Sequence, residues 1–255
     1  MAIITLLTDF GQRDSYVAEM KGVMLSALPG ATIVDITHDV PRGNIFAAQY
    51  VLGRTWRRFP TRTVHVVVVD PTVGTQRRAI AVQHDDHHFV APDNGLLTPV
   101  LGSARVVELP IPAAAAPTFH GRDVFGPAAA QLASGASIET VGREIRNPVR
   151  TPPPVTRRDG KDVIGCVIYV DRFGTLVTNV ADSGGQEGEA SGSGGRTVVV
   201  AGRVAPVRRT FADVPSGELV AFLGSGGTVE IAVRDGSAAE MLGVKEGAEV
   251  RVRDY

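Results

Sequence analysis

The amino-acid sequence predicts an α/β protein in two parts: a larger N-terminal domain on a parallel sheet, then a smaller domain of short strands. Three observations predict it. Apolar strand-like runs alternate with helix-like stretches through the first half. A run rich in proline and charge, "RNPVRTPPPVTRRDG" at 146–160, interrupts that pattern and reads as a linker. Beyond it the chain is a series of short apolar runs broken by turns, as in a small barrel or sandwich.

The elements follow in order. "AIITLLTDF" (2–10) is a strand ending in Asp9. "SYVAEMKGVMLSAL" (15–28) has apolar residues near helical spacing, and Pro29-Gly30 stops it. "ATIVDIT" (31–37) is a second strand, and "NIFAAQYVLGRTWRRF" (44–59) a second helix with Asn44 near its start. "TVHVVVVD" (63–70) is apolar on both faces, as a strand covered by helices on each side requires. "RAIAVQ" and "HFVAPD" form a strand pair, and "GPAAAQLASG" (126–135) is a helix begun by Pro127. Strand–helix–strand at this spacing argues for a parallel sheet. The expected divisions are 1–150, a linker at 151–161, and 162–255, with the Gly- and Ser-rich stretch 182–196 as a mobile insertion.

Composition excludes several classes. The chain has 255 residues, 21% of them charged, and a net charge of −1. Nothing in that balance suggests a nucleic-acid or acidic-lipid partner. A lone cysteine, Cys166, allows no internal disulfide, and no Cys/His cluster has zinc spacing. "MAIITLLTDFG" reads as a first strand, not a signal peptide, and no run approaches a membrane span. These features predict a cytoplasmic protein.

In open parallel sheets ligands bind beyond the carboxyl ends of the strands. Asp9 in "LLTDFG" and Asp70 in "VVVVDPTVG" occupy two such ends. A single aspartate there often only caps the next turn; two on one sheet point to a cleft. Asp14 is placed to cap the 15–28 helix. Arg77 or Arg78 could fold back over the turn onto Asp70, the plainer reading being a solvated basic turn. His120 lies in "TFHGRDVFGPAAA", beside a glycine that permits close approach of a ligand. "HDDHHF", with His87 and His88, reads as an exposed hairpin tip and not a metal site. His38 and His65 read as structural. "APDNGLL" (91–97) either lines a cleft or closes a hairpin. There is no Walker A motif and no GxGxxG fingerprint.

"LLTDFGQRDSYVAEMKGVM", "VVDPTVGTQRR", "APDNGLL", "TFHGRDVFGPAAA", "DRFGTLVTN" and "IAVRDGSAA", in this order, resemble the S-adenosyl-L-methionine (SAM) hydroxide adenosyltransferases. These are SAM hydrolases that form adenosine and methionine, related to fluorinating and chlorinating enzymes. The resemblance implies a Rossmann-like parallel-sheet domain followed by a smaller β-barrel-like domain. It also implies a homotrimer with the site at the subunit interface, SAM as substrate, and no cofactor or metal. It implies a water-holding triad of Asp70, Arg77 and His120; the halogenating relatives carry tyrosine at the position of Asp70. It places Asp9 on the ribose hydroxyls and Asp14 near the methionine amine. Asp171, Phe173, Phe211, Phe222, Ser225 and Arg234 would face the substrate, Phe211 stacking on adenine. Two positions depart from the family pattern. Thr175 follows "FG" where an asparagine is usual, with Asn179 nearby, and Gly226 replaces an arginine.

The chemistry expected is in-line attack of an oriented water on C5′, with neutral methionine leaving. Arg77 would hold Asp70 ionised and in place. The alternatives are SAM-dependent halide transfer, a non-catalytic SAM or adenosine binder, and, apart from the resemblance, a metal-assisted α/β hydrolase.

Overall fold

The computed structural model describes residues 1–181 and 196–253; the expected insertion at 182–196 lies, but for Arg196, outside them. The chain divides into two compact units, Met1–Pro152 and Pro153–Tyr255.

The first unit is built on a seven-stranded sheet. β1 (Ile3–Thr8), β2 (Thr32–Thr37), β3 (Val64–Val68), β4 (Ala79–His84), β5 (His87–Pro92), β6 (Arg105–Leu109) and β7 (Arg143–Glu144) lie in the order β2-β1-β3-β5-β4-β6-β7. The four strands β2, β1, β3 and β5 are parallel. The other pairings are antiparallel, so the sheet is mixed where the sequence predicted a parallel one. The antiparallel half begins at a two-residue hairpin turn, Asp85-Asp86, with φ of 47° and 58°. Both residues there must be left-handed for the turn to match the strand twist. α1 (Tyr16–Ala27), α2 (Ile45–Thr55), α3 (Gly126–Ala133) and the short α4 (Ile138–Val141) complete the unit. Asn44 caps α2, its side chain accepting from Ala47 N. Ser15, not Asp14, stands at the N-cap of α1, and it makes no side-chain cap bond.

β3 is buried along its whole length. Ile4, Leu6, Val64, Val66 and Val68 pack with Met20, Met24, Phe125 and Ala129 from the helices in one core. Close packing on both faces makes the strand ends a rigid platform.

The second unit is a strongly curved antiparallel sheet. β8 (Arg157–Asp159), inside the expected linker, pairs with β9 (Asp162–Val170). β10 (Leu176–Ala181), β11 (Thr197–Val200), β12 (Arg203–Pro206), β13 (Leu219–Leu223), β14 (Thr228–Val233) and β15 (Glu249–Arg253) give the order β12-β11-β15-β9-β10-β14-β13. The end strands nearly meet through a parallel bridge between Val207 and Ala221, which makes the sheet an almost closed barrel. α5 (Ala238–Leu242) follows β14, and Val167, Leu176, Val198, Ile231 and Val250 lie in the barrel core.

Candidate active site

β1 and β3 are neighbours, with Leu6 opposite Val66 and Thr8 opposite Val68. Asp9 and Asp70 therefore leave the sheet at the same end, side by side. Asp9 Oδ2 accepts from Gly43 N at 2.8 Å. Gly43 takes φ of 70° and approaches Pro71, the residue after Asp70: a Cβ there would stand 3.6 Å from the proline Cβ. The two strand-end loops are thus tied together.

Asp70 is fixed by contacts within its own turn. Its Oδ1 accepts from Thr72 Oγ1 at 3.0 Å and Thr72 N at 3.3 Å. Its Oδ2 takes Arg77 Nε at 2.9 Å and also Arg77 Nη2. The two side chains are each only 6% exposed. Charge-assisted bonds of this kind fix direction as well as charge. Arg77 also lies over the Phe125 ring, 5.5 Å from its centre. Arg78 turns the other way, to Asp93, so the RR pair is split between two carboxylates.

His120 sits just before a wide helical turn, Gly121–Phe125, closed by a bond from Gly126 N to Gly121 O. A clasp holds that turn: Arg122 donates to Asp123 and to Glu19, and Asp123 accepts from Ala116 N. His120 is 6% exposed. Burial pushes its pKa down, Arg77 adds to the effect, and Asp70 opposes it, so both charges act on the ring. His120 Nδ1 and Arg77 Nη1 are buried polar atoms without a hydrogen-bond partner. Buried polar atoms are normally satisfied, and two such atoms beside one carboxylate suit a polar guest. Asp14 lies on the exposed loop before α1.

The second unit holds a cleft of about 700 Å³, and Asp171, Phe173, Thr175, Phe211 and Arg234 are among its lining residues. Asp171 Oδ1 accepts from Phe173 N and Thr175 N, at 2.9 and 2.8 Å, which shapes the "DRFGT" turn; Gly174 supplies its left-handed residue, φ 78°. Phe173 is 77% exposed. Phe211 meets Phe222 edge-on at 4.6 Å. Phe222 lies beneath, buried with Val214, Val220 and Ala232, and is a support for Phe211, not part of the cleft wall. Arg234 donates to the carbonyls of Val214 (2.8 Å) and Ala212 (3.3 Å). Its guanidinium thus clamps the Phe211 turn. Glu230, which sequence reading missed, also lines the cleft; its alternation in β14 was the available signal.

Two expected residues stand elsewhere. Ser225 occupies the exposed turn between β13 and β14. Asn179 Oδ1 accepts from Cys166 N and its Nδ2 donates to Pro154 O, so its amide braces the backbone of the second unit.

"HDDHHF" needs correction. The turn is Asp85-Asp86, and His87 is buried, not at an exposed tip. It packs edge-on against Trp56 and lies 3.1 Å from His65, whose other ring nitrogen is 2.8 Å from Thr5 Oγ1. Among the described residues no group of three or more His, Cys, Asp or Glu is arranged to hold a metal ion. No helix among them is long and apolar enough to cross a membrane.

The fold and site define a two-unit class of protein: an α/β unit with paired carboxylates at its strand ends, and a near-closed barrel with an aromatic-lined cleft. Residues 4–142 match the SAM hydroxide adenosyltransferase N-terminal domain, and residues 165–251 the C-terminal domain. The chain belongs to the SAM hydroxide adenosyltransferase family. It is 41% identical to an (R)-S-adenosyl-L-methionine hydrolase of Thermus thermophilus, over 99% of this chain and 100% of that protein. It is 31% identical to a fluorinase of Actinopolyspora mzabensis, over 98% and 96%. A crystal structure of an uncharacterized conserved protein from Thermotoga maritima superposes with a TM-score of 0.89 at 37% identity, covering 98% of this chain and 100% of that one.

Proposed function

We propose that this chain hydrolyses SAM to adenosine and L-methionine, with a water held by Asp70, Arg77 and His120. The observation that carries the reading is the buried Asp70–Arg77 pair beside a neutral-leaning His120 with a free ring nitrogen. Relatives named as SAM hydrolases, one of them matching over its full length, support the substrate.

One lone pair of the water attacks C5′ as the C5′–S bond breaks. The bonding pair goes to sulfur and turns the sulfonium into the neutral thioether of methionine. The water's proton passes to Asp70 or His120 and then to solvent, leaving adenosine. No negative charge builds on a carbonyl, so an oxyanion hole has no role. The difficulty is a weak nucleophile, and orientation is the remedy: a well-placed attack geometry contributes up to about 7–11 kcal/mol. Arg77 fixes Asp70, and Asp70 aims the water. A carboxylate at this position also repels an incoming halide, which favours water over halide transfer.

In the same proposal Asp9 binds the ribose hydroxyls and Asp14 lies near the methionine amine. The cleft of Asp171, Phe173, Phe211 and Arg234 takes the adenosine end. The enzyme acts in the cytoplasm, without a metal, as a homotrimer whose site joins neighbouring subunits; the assembly rests on family resemblance. The test is incubation with SAM and a chelator in water enriched in oxygen-18. Adenosine carrying the heavy oxygen at 5′, with unlabelled methionine, supports the reading. Intact SAM, or 5′-chloro-5′-deoxyadenosine when chloride is added, overturns it.

A further inference from the structure

The "APDNGLL" segment does more than close a turn. Its Asn94 Nδ2 donates to Val69 O at 2.9 Å, the carbonyl immediately before Asp70. Its Asp93 Oδ2 receives Arg78 Nε at 2.8 Å and Nη2 at 2.6 Å, from the residue immediately after Arg77. The same segment therefore grips the backbone on one side of the Asp70–Arg77 loop and a side chain on the other.

Further bonds anchor the grip. Asp93 N donates to Arg78 O at 2.9 Å, and Asp93 Oδ1 accepts from Val149 N at 2.7 Å. Arg78 completes its fork on Asn147, through the side-chain oxygen at 2.9 Å and the carbonyl at 2.7 Å. Asn94 Oδ1 accepts from Leu96 N at 3.2 Å, which fixes which way its amide faces. Asp93 is 4% exposed, so this is an interior carboxylate with every contact satisfied inside the unit.

The loop between these grips is held otherwise by short-range bonds of its own: Val73 N to Asp70 O at 3.3 Å, Thr75 N and Oγ1 to Thr72 O at 3.2 and 2.8 Å, and Arg77 N to Thr75 Oγ1 at 3.3 Å. Val73, Gly74, Thr75 and Gln76 are exposed, and Gly74 takes φ of 82°. A six-residue excursion through a left-handed glycine has alternative paths. Closing Asp70 onto Arg77 is favourable only if the ends of the excursion are held apart by the right distance. Adjacent arginines also compete for one carboxylate. Giving Arg78 a carboxylate of its own removes the competitor and leaves Asp70 to Arg77.

We infer that Asp93 and Asn94 are positioning residues for the Asp70–Arg77 pair: they set where the loop starts and ends, and which arginine Asp70 receives. The inference rests on the proposed function only for its effect on turnover; the geometric claim stands apart from it.

The experiment measures two things on Asp93→Asn, Asn94→Ala and Asp70→Asn. One is kcat and KM for SAM. The other is the exchange rate of the Arg77 Nε–H proton in protein labelled with 15N-arginine, the signal assigned by its loss in Arg77→Lys. Misplacing reacting groups by about an ångström costs up to roughly a hundredfold in rate. Asp93→Asn and Asn94→Ala are therefore expected to lower kcat about ten- to a hundredfold, to change KM less than about threefold, and to speed Arg77 Nε–H exchange. Unchanged exchange in both variants overturns the inference, whatever the rates. If Asp70→Asn keeps the wild-type kcat, the water-holding reading fails, and the exchange data alone still decide this one. Should Asp93→Asn not fold, Arg78→Lys serves in its place: it keeps the charge, loses the fork, and is expected to speed Arg77 exchange by a smaller factor.

Discussion

Arg77 reaches back across the Thr72–Thr75 turn and places its guanidinium edge on Asp70 Oδ2, with both side chains almost wholly buried. Sequence alone left the partner open between Arg77 and Arg78. The pair shows how a strand of valines can end in a buried carboxylate: Arg77 compensates its charge at the strand's end.

Asp70→Ala strands a buried guanidinium. Removing one member of a buried pair costs about 3–5 kcal/mol, and losing an acid–base group costs about 100- to 10,000-fold in rate. Asp70→Asn keeps an acceptor and should lose less stability but a similar share of kcat. Urea unfolding and kcat, measured together, check this. A variant that is fully folded and turns over within twofold of wild type would remove Asp70 from the mechanism.

The His120 ring is held below its ordinary pKa of 6.5, first by burial and then by Arg77. It is thus neutral and able to accept a proton throughout the neutral range. The acid limb of kcat/KM is expected below pH 6.5, with a plateau above it. His120→Gln should lower the plateau and erase that limb. A limb that survives the substitution belongs to another group.

Phe211 owes its exposure in the cleft to Arg234, which ties down the carbonyls of Ala212 and Val214. Stacking of a base on an aromatic ring is worth about 1–3 kcal/mol. Phe211→Ala should raise KM for SAM by roughly five- to a hundredfold with a smaller effect on kcat. Arg234→Met should follow it in direction, and the double variant should be less than additive. Independent, additive effects would separate the two residues.

His65 lies between Thr5 and His87, and burial, aided by His87, lowers its pKa to about 3. The native state refuses a proton that the unfolded chain accepts below pH 6.5. The stability this buried neutral ring contributes is therefore complete above pH 6.5 and declines as pH falls toward 3, by about 1.4 kcal/mol per unit for one such group. Melting temperatures from pH 8 to 4.5 should show that decline, shallower in His65→Gln. Equal slopes in the two proteins would assign the acid sensitivity elsewhere.

The strand-end aspartates and the change from α/β to short strands were legible because they rest on local pattern. Val64–Val68 is four valines and one histidine, and the run of valines on both faces reads as a strand covered on each side. The antiparallel extension through β6 and β7 was not legible, because a short apolar run carries no mark of its direction; the β4–β5 hairpin was legible as a strand pair. Asp85-Asp86 held the clue, since two left-handed residues make a tight hairpin and put His87 directly into a strand. Asn179 looked available because it is polar and near the "DRFGT" turn; only its partners show that its amide is spent on backbone groups. Asp93 and Asn94 could not be told from a plain turn without the distances to Arg78 and Val69.

The wide turn at Gly121–Phe125 carries one more residue per revolution than an ordinary helix would. An α-helix advances about 100° per residue, and a five-residue spacing between bonded groups inserts extra phase at one point only. The bearing of His120 relative to α3 is thus kept by a local underwinding downstream of it, which absorbs one extra residue. An unbroken α-helix through the same residues would instead swing the imidazole about 100° around the axis relative to α3. The wide turn thus keeps the histidine's bearing and the packing of α3 in one register although the stretch between them is a residue longer.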